Sequence, residues 1–199
     1  MDALRGVAAT MSQAAADFAR CARSWARLTA QRQLASPKPY VGARLHFADG
    51  TTSVVFRETV RRVATAEPAL LVIQFRLAFL GSNRWGHAAF RRECVLHTPL
   101  FAGFPGFRSK LLADDVHTGV YRGLYEWDGA EVARAYALRM TALLAPFSNA
   151  GSARFHIVDG IRRDAFLADP QIAPGGAGDG WWRLAEPAGP ARPATAPGG

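Results

Sequence analysis

The order in which hydrophobic periods follow one another between residues 69 and 161 limits the fold more than any other feature of this chain. Ala69 to Leu80 reads as a strongly apolar strand. Leu71, Ile73, Phe75, Leu77 and Phe79 share one face, and Gln74 and Arg76 lie on the other. Gly81 to Gly86 reads as a loop and His87 to Leu96 as a helix, which Pro99 kinks or ends. Gly103-Phe104-Pro105-Gly106-Phe107 turns the chain into a second strand, Phe107 to Ala113, and Asp114 to Gly119 is a polar hairpin loop. Val120 to Trp127 is a third strand, with Tyr121, Tyr125 and Trp127 on one face and Arg122 and Glu126 on the other. Asp128 is placed to cap the next helix, with Glu131 completing a capping box. Val132, Tyr136, Met140, Leu143 and Phe147 form the apolar stripe of that helix, and Ser152 to Ile161 is a fourth strand. The order β-α-β-β-α-β over about 95 residues predicts an α+β fold with a ferredoxin-like split βαβ core.

An antiparallel sheet of this kind carries its helices on one face, so the other face needs cover. A second copy of the sheet is the economical cover, which predicts a homodimer. The core occupies residues 68–167, and three further segments flank it. Residues 1–39 read as an amphipathic helix and linker, with Leu4, Val7, Met11, Ala14, Phe18, Cys21, Trp25 and Leu28 at 3-4 spacing before Ser36-Pro37-Lys38-Pro39. That stripe is expected to lie against its own domain or a dimer partner. Residues 40–67 form a β-hairpin extension, in which Leu45 and Phe47 alternate before the Asp49-Gly50 turn and Val54 and Phe56 after it. Residues 168–199 read as a Gly/Pro/Ala-rich flexible tail, anchored only at Trp181-Trp182-Arg183-Leu184.

Charge excludes less than it first suggests. The chain holds 24 Lys and Arg against 16 Asp and Glu, a net charge of +8, and 22 of the 24 are Arg, with only Lys38 and Lys110 as lysines. The cations fall in doublets, Arg61-Arg62, Arg91-Arg92 and Arg162-Arg163, without one stripe, and no strand carries an RNA-stacking aromatic platform. No nucleic-acid partner is expected. Residues 1–39 hold six basic and two acidic residues, so the N-terminal helix is the segment suited to an acidic surface or a protein partner.

Cys21 and Cys94 lack the spacing of a zinc site or a disulfide framework and read as buried free thiols of a reducing cytoplasm. No run of about 18 apolar residues is present, so no transmembrane segment is expected. His46, His87, His97, His117 and His156 match no dense ligand spacing, which predicts no metal. No phosphate loop or dinucleotide fingerprint occurs, which predicts no cofactor of those classes.

The stretch from Val72 to about Asp164 resembles the dimeric α/β-barrel superfamily, within it the small bacterial monooxygenase-like proteins of the YdhR type. The residues that carry the resemblance are Gln74-Phe75-Arg76-Leu77, Thr98-Pro99-Leu100, Phe104-Pro105-Gly106-Phe107 followed by Lys110, Tyr121-Arg122-Gly123-Leu124-Tyr125-Glu126-Trp127, and Ala133 to Ala137 around Tyr136. Arg57-Glu58-Thr59-Val60 is similar to a piece found in a group of actinobacterial proteins. The resemblance implies a cleft between sheet and helices that takes a small apolar or aromatic molecule. It also implies cofactor-independent monooxygenation of an aromatic or polyketide-like substrate. Phe75, Phe90, Tyr121, Tyr125, Trp127, Tyr136 and Met140 are the candidate lining. His97, which shares the inward stripe of Phe90 and Cys94, is the candidate general base, and Arg76 or Arg122 the group that holds an enolate or phenolate. Asn83 and Trp85 are alternative polar and stacking groups. This superfold hosts many functions, so two other readings stand beside the first. One is a non-catalytic dimer that recruits a protein partner, and the other a haem protein with His97 as axial ligand.

Overall fold

The computed structural model describes residues 19–78, 84–96, 98–174 and 180–188. Helix α1 runs from residue 19 to residue 30. It is followed by β1 (Leu34–Ala35), β2 (Arg44–His46), β3 (Thr52–Arg61) and β4 (Pro68–Arg76). Helices α2 (Arg84–Leu96) and α3 (Thr98–Ala102) lead to β5 (Phe107–Asp115) and β6 (Val120–Asp128). Helix α4 (Ala130–Leu144), β7 (Arg154–Asp159) and α5 (Arg163–Ala168) complete the order. One sheet holds all seven strands in the order β1-β3-β5-β6-β4-β7, with β2 paired to β3. Every pairing is antiparallel. Within it, β7-β4-β6-β5 with α2, α3 and α4 is the ferredoxin-like α+β arrangement.

The face under the helices carries Leu71 and Ile73 of β4, Phe107 of β5, and Tyr125 and Trp127 of β6, packed against Phe101, Ala133, Tyr136 and Ala137. Helix α1 seals one end of this layer through Trp25. It approaches so closely that a Cβ on Gly103 would fall 1.9 Å from the Cys21 carbonyl oxygen. The expected stripe from Leu4 to Phe18 lies outside the described residues. Helix α4 begins differently from the capping-box expectation. Gly129 is its N-cap, at φ 102°, and supplies no side chain. Asp128 instead accepts hydrogen bonds from the Thr65 hydroxyl and the Ala66 amide.

The opposite face is where the structure departs most from the sequence reading. Leu70, Val72, Leu111, Leu124 and Val158 on this face are buried under Leu45 and Phe47 of the hairpin and Phe166 and Leu167 of α5. Trp181, Trp182 and Leu184 complete the cover. The hairpin is not a separate extension either, because β3 continues past it and pairs with β5 from Val54 to Val60. Of the expected tail from 168, residues 168–174 and 180–188 dock on the core through several anchors rather than one: Ala173 and Ala188 are buried with the tryptophans, and the Ala188 amide donates to the Leu167 carbonyl at 2.7 Å. The chain covers its own sheet, so the bare face from which a homodimer was inferred does not exist.

Polar ties hold this cover in place. Arg163 and Glu58 are each 2% exposed and form an ion pair at 2.7 Å that joins α5 to β3. The Glu126 carboxylate accepts the Arg163 amide at 3.0 Å. Burial of an ion pair costs desolvation, so its value lies in fixing one docking position.

Candidate functional site

A cavity of about 470 Å³ lies between the helix-side face of the sheet and α2, α3 and α4. Ile73 and Phe75 of β4, Lys110 and Leu112 of β5, and Gly123 and Tyr125 of β6 form its floor. Phe90 and Cys94 of α2, Phe101 of α3 and Met140 and Leu144 of α4 form its walls. Glu93, Leu143 and Phe147 lie at its rim and are exposed. Leu143 and Phe147 were expected on the buried stripe of α4; they belong to the mouth instead.

The local sequence explains why a space remains. Toward one end the layer is filled by large rings, with Trp127 and Tyr136 centroids 4.6 Å apart. Toward the other, β6 places Gly123 opposite Leu112. A Cβ at Gly123 would fall 2.5 Å from the Tyr125 ring, so this glycine lets the ring lie flat across the strand. Small residues at such a layer leave volume that neighbouring side chains cannot reach.

Among the described residues, Lys110 is the one cation on the floor. It stands opposite Tyr125 in the β5–β6 register and is 8% exposed. Its Nζ lies 3.9 Å from the Phe101 ring centroid and 4.7 Å from that of Tyr125. Among the described residues no carboxylate or carbonyl pairs with it. Burial pulls its pKa down from 10.5 to about 7, with Cys94 opposing and Arg57 adding to that fall. The Arg57 guanidinium donates to the Thr98 hydroxyl at 2.9 Å. Burial also pushes the Cys94 thiol up. The Tyr125 phenol is raised for the same reason, and the Tyr136 hydroxyl donates to it at 3.4 Å.

The expected site residues divide into four groups. Phe75, Phe90, Tyr125 and Met140 meet in the cavity. Tyr121, Trp127 and Tyr136 lie behind it as packing. Tyr121 stacks on Phe75 at 5.4 Å and its hydroxyl meets the buried His87 ring, while Trp127 and Tyr136 fill the closed end. The two arginines do not reach it. Arg122 is on the opposite face, bonded to Asp49 at 3.0 Å, Thr51 at 2.8 Å and Ser53 at 3.1 Å, with its guanidinium 3.9 Å from the Phe47 ring centroid. It ties the hairpin to the sheet and forms no pair with Glu126, whose side chain faces Arg162 at 3.6 Å. Arg76 is exposed at the end of β4, beside Asn149 and Ser152. Period-two alternation already places both arginines opposite Phe75 and Tyr125, so they could not share a site with those rings. His97 and Asn83 lie outside the described residues, and Trp85 is 86% exposed.

Lys110 is the residue that the sequence reading left unused. Its signal was present: a lysine on the inward register of a buried strand, in a chain that otherwise uses arginine for nearly every cation. Among the described residues no group of three His, Cys, Asp or Glu could hold a metal, and no helix is long and apolar enough to cross a membrane.

No known family model matches the chain, and no curated protein matches it. Three solved structures are similar to it at low identity. A monooxygenase-like protein from Listeria innocua has 14% identity and a TM-score of 0.38, covering 56% of this chain and 65% of its own. This chain therefore spans just under two thirds of that protein. An uncharacterized ferredoxin-fold protein related to antibiotic biosynthesis monooxygenases, from Listeria monocytogenes, has 10% identity and a TM-score of 0.39, covering 62% of this chain and 89% of its own. A heme-degrading enzyme from Listeria monocytogenes has 13% identity and a TM-score of 0.38, covering 61% and 84%.

Proposed function

We propose that the chain binds an apolar, aromatic small molecule between sheet and helices. We further propose that it acts on that molecule as a cofactor-independent monooxygenase. The observation that carries this reading is the buried amine of Lys110, without a carboxylate partner among the described residues, on the floor of an aromatic cavity of about 470 Å³. Cavities of this size and lining suit flat apolar ligands, and a lone polar group fixes their orientation.

An amine held near pKa 7 accepts a proton from an acidic hydroxyl or benzylic C–H at neutral pH. The resulting ammonium faces the anion it has made, in a site with few competing dipoles. Such an electron-rich carbanion passes one electron to dioxygen, the two radicals join as a peroxide anion, and the Lys110 ammonium returns its proton to give the hydroperoxide. Loss of water then leaves a carbonyl, so the sum is one CH2 group and O2 giving C=O and H2O. Lys110 takes the role first expected of His97.

In the haem reading the axial ligand is His97, which lies outside the described residues. Burial disfavours the Cys94 thiolate and the Tyr125 phenolate for that role. We derive no step through haem.

Oxygen uptake with anthrone or 1-naphthol, without added metal or flavin, tests the proposal. Turnover by the wild type that is lost in Lys110→Met is the expected result. Absence of uptake with both compounds, together with no thermal shift by either, would remove it.

A further inference from the structure

We propose that Lys110 also forms a reversible imine with apolar aldehydes and ketones, which makes the cavity a carbonyl-binding site. This deepens the reading above and rests on the cavity taking up an apolar molecule.

Three observations carry it. Lys110 Nζ makes no hydrogen bond or ion pair among the described residues, and its close contacts are the rings of Phe101 and Tyr125. Lys110 lines the cavity, so a ligand there can reach an amine that, among the described residues, no protein group holds. The second is residue type. The chain uses arginine at 22 of its 24 cationic positions, yet a lysine stands here. A guanidinium keeps its proton and cannot add to a carbonyl, whereas an amine can. The third is the setting. Desolvation in an apolar pocket is the condition under which lysine becomes a nucleophile, and it brings the pKa of this amine down to about 7, so that both protonation states are present at neutral pH. The charged and titratable neighbours are Arg57 on β3, Cys94 and Glu93 on α2, and Tyr125 on β6.

The step balances without a redox partner. The nitrogen lone pair adds to the carbonyl carbon, and the C=O π electrons move to oxygen. A proton passes from nitrogen to that oxygen to give a carbinolamine, which loses water to leave C=N.

The second lysine provides an internal control, because Lys38 is exposed in the linker before the hairpin. The full chain is incubated at pH 7 with 6-methoxy-2-naphthaldehyde and sodium cyanoborohydride, then mapped by peptide mass spectrometry. The expected result is one reduced adduct at Lys110, formed at least about tenfold faster than at Lys38, since an ordinary lysine is almost wholly protonated at this pH. Lys110→Arg should abolish that adduct. Binding of the matching alcohol, (6-methoxy-2-naphthyl)methanol, is followed in parallel by fluorescence. Alcohol binding to the wild type without an adduct at Lys110 overturns the imine and leaves the binding reading intact. Equal labelling of Lys38, Lys110 and the N-terminus also overturns it. If neither the alcohol nor the aldehyde binds, both readings fall together. The wild-type map alone decides the matter if the variant fails to fold.

Discussion

At the scale of single residues, Lys110 sets function against stability. The folded chain holds its amine near pKa 7, while the unfolded chain returns it to the ordinary value of 10.5. Between those values the unfolded state binds a proton that the folded state has released. Stability contributed by this group therefore rises with pH from about 7 to 10.5, by up to about 1.4 kcal/mol per unit. Below about pH 7 both states are protonated and the desolvation cost is fully present. Lys110→Met keeps the stem and removes the charge. We expect it to stabilise the protein by about 2–4 kcal/mol at pH 7 and to flatten this part of the pH profile while abolishing turnover. Urea denaturation of both proteins at pH 6, 7.5 and 9 gives the comparison. Parallel profiles would mean that the amine is hydrated or paired in solution. The sequence reading missed this residue because it looked for the group whose ordinary pKa suits proton transfer, a histidine. The environment that moves a lysine into that range exists only after β5, β6, α2 and α3 have come together.

At the scale of elements, legibility followed periodicity. The strands from Ala69 to Trp127 and the Asp49-Gly50 hairpin were readable because one face of each is apolar and the turns are marked. The position of Phe75 and Tyr125 in the cavity was readable for the same reason. The segment after Ala168 was not, because its composition is that of a linker and its burial comes from isolated anchors without a period. Trp182 shows how such anchors work. It stacks on His156 of β7 at 4.0 Å and lies 6.2 Å from Phe166 of α5. Removing a buried indole without collapse of its surroundings costs about 3–5 kcal/mol. Trp182→Ala should therefore lower the urea midpoint by a matching amount and raise the binding of a hydrophobic dye to the opened face. A change below about 0.5 kcal/mol, the usual range of surface substitutions, would show that the segment is not docked in solution.

At the scale of the whole molecule, the sheet face decides how many chains the protein needs. A ferredoxin-like core with one bare face is completed by a second copy, and that was the basis for expecting a dimer. Here Leu70, Val72, Leu111, Leu124 and Val158 are already buried by the hairpin, α5 and the residues around Trp181 and Trp182. Polar anchors for that cover come from the sheet itself, through Arg122 to Asp49 and Glu58 to Arg163. A second copy could reach this face only by displacing the cover, which would expose the tryptophans and strand the Arg163–Glu58 pair. Leaving one member of a buried ion pair without its partner costs about 3–5 kcal/mol, so exchange of the cover for a dimer contact is unfavourable. Light scattering behind size exclusion should accordingly give the mass of one chain, 21.5 kDa, at micromolar concentration. A dimer whose hydrogen exchange leaves β4 and β7 amides protected and α5 amides open would mean that the partner has replaced the cover. A dimer with α5 and the segment around Trp182 protected would place the contact elsewhere and leave the self-covered sheet intact.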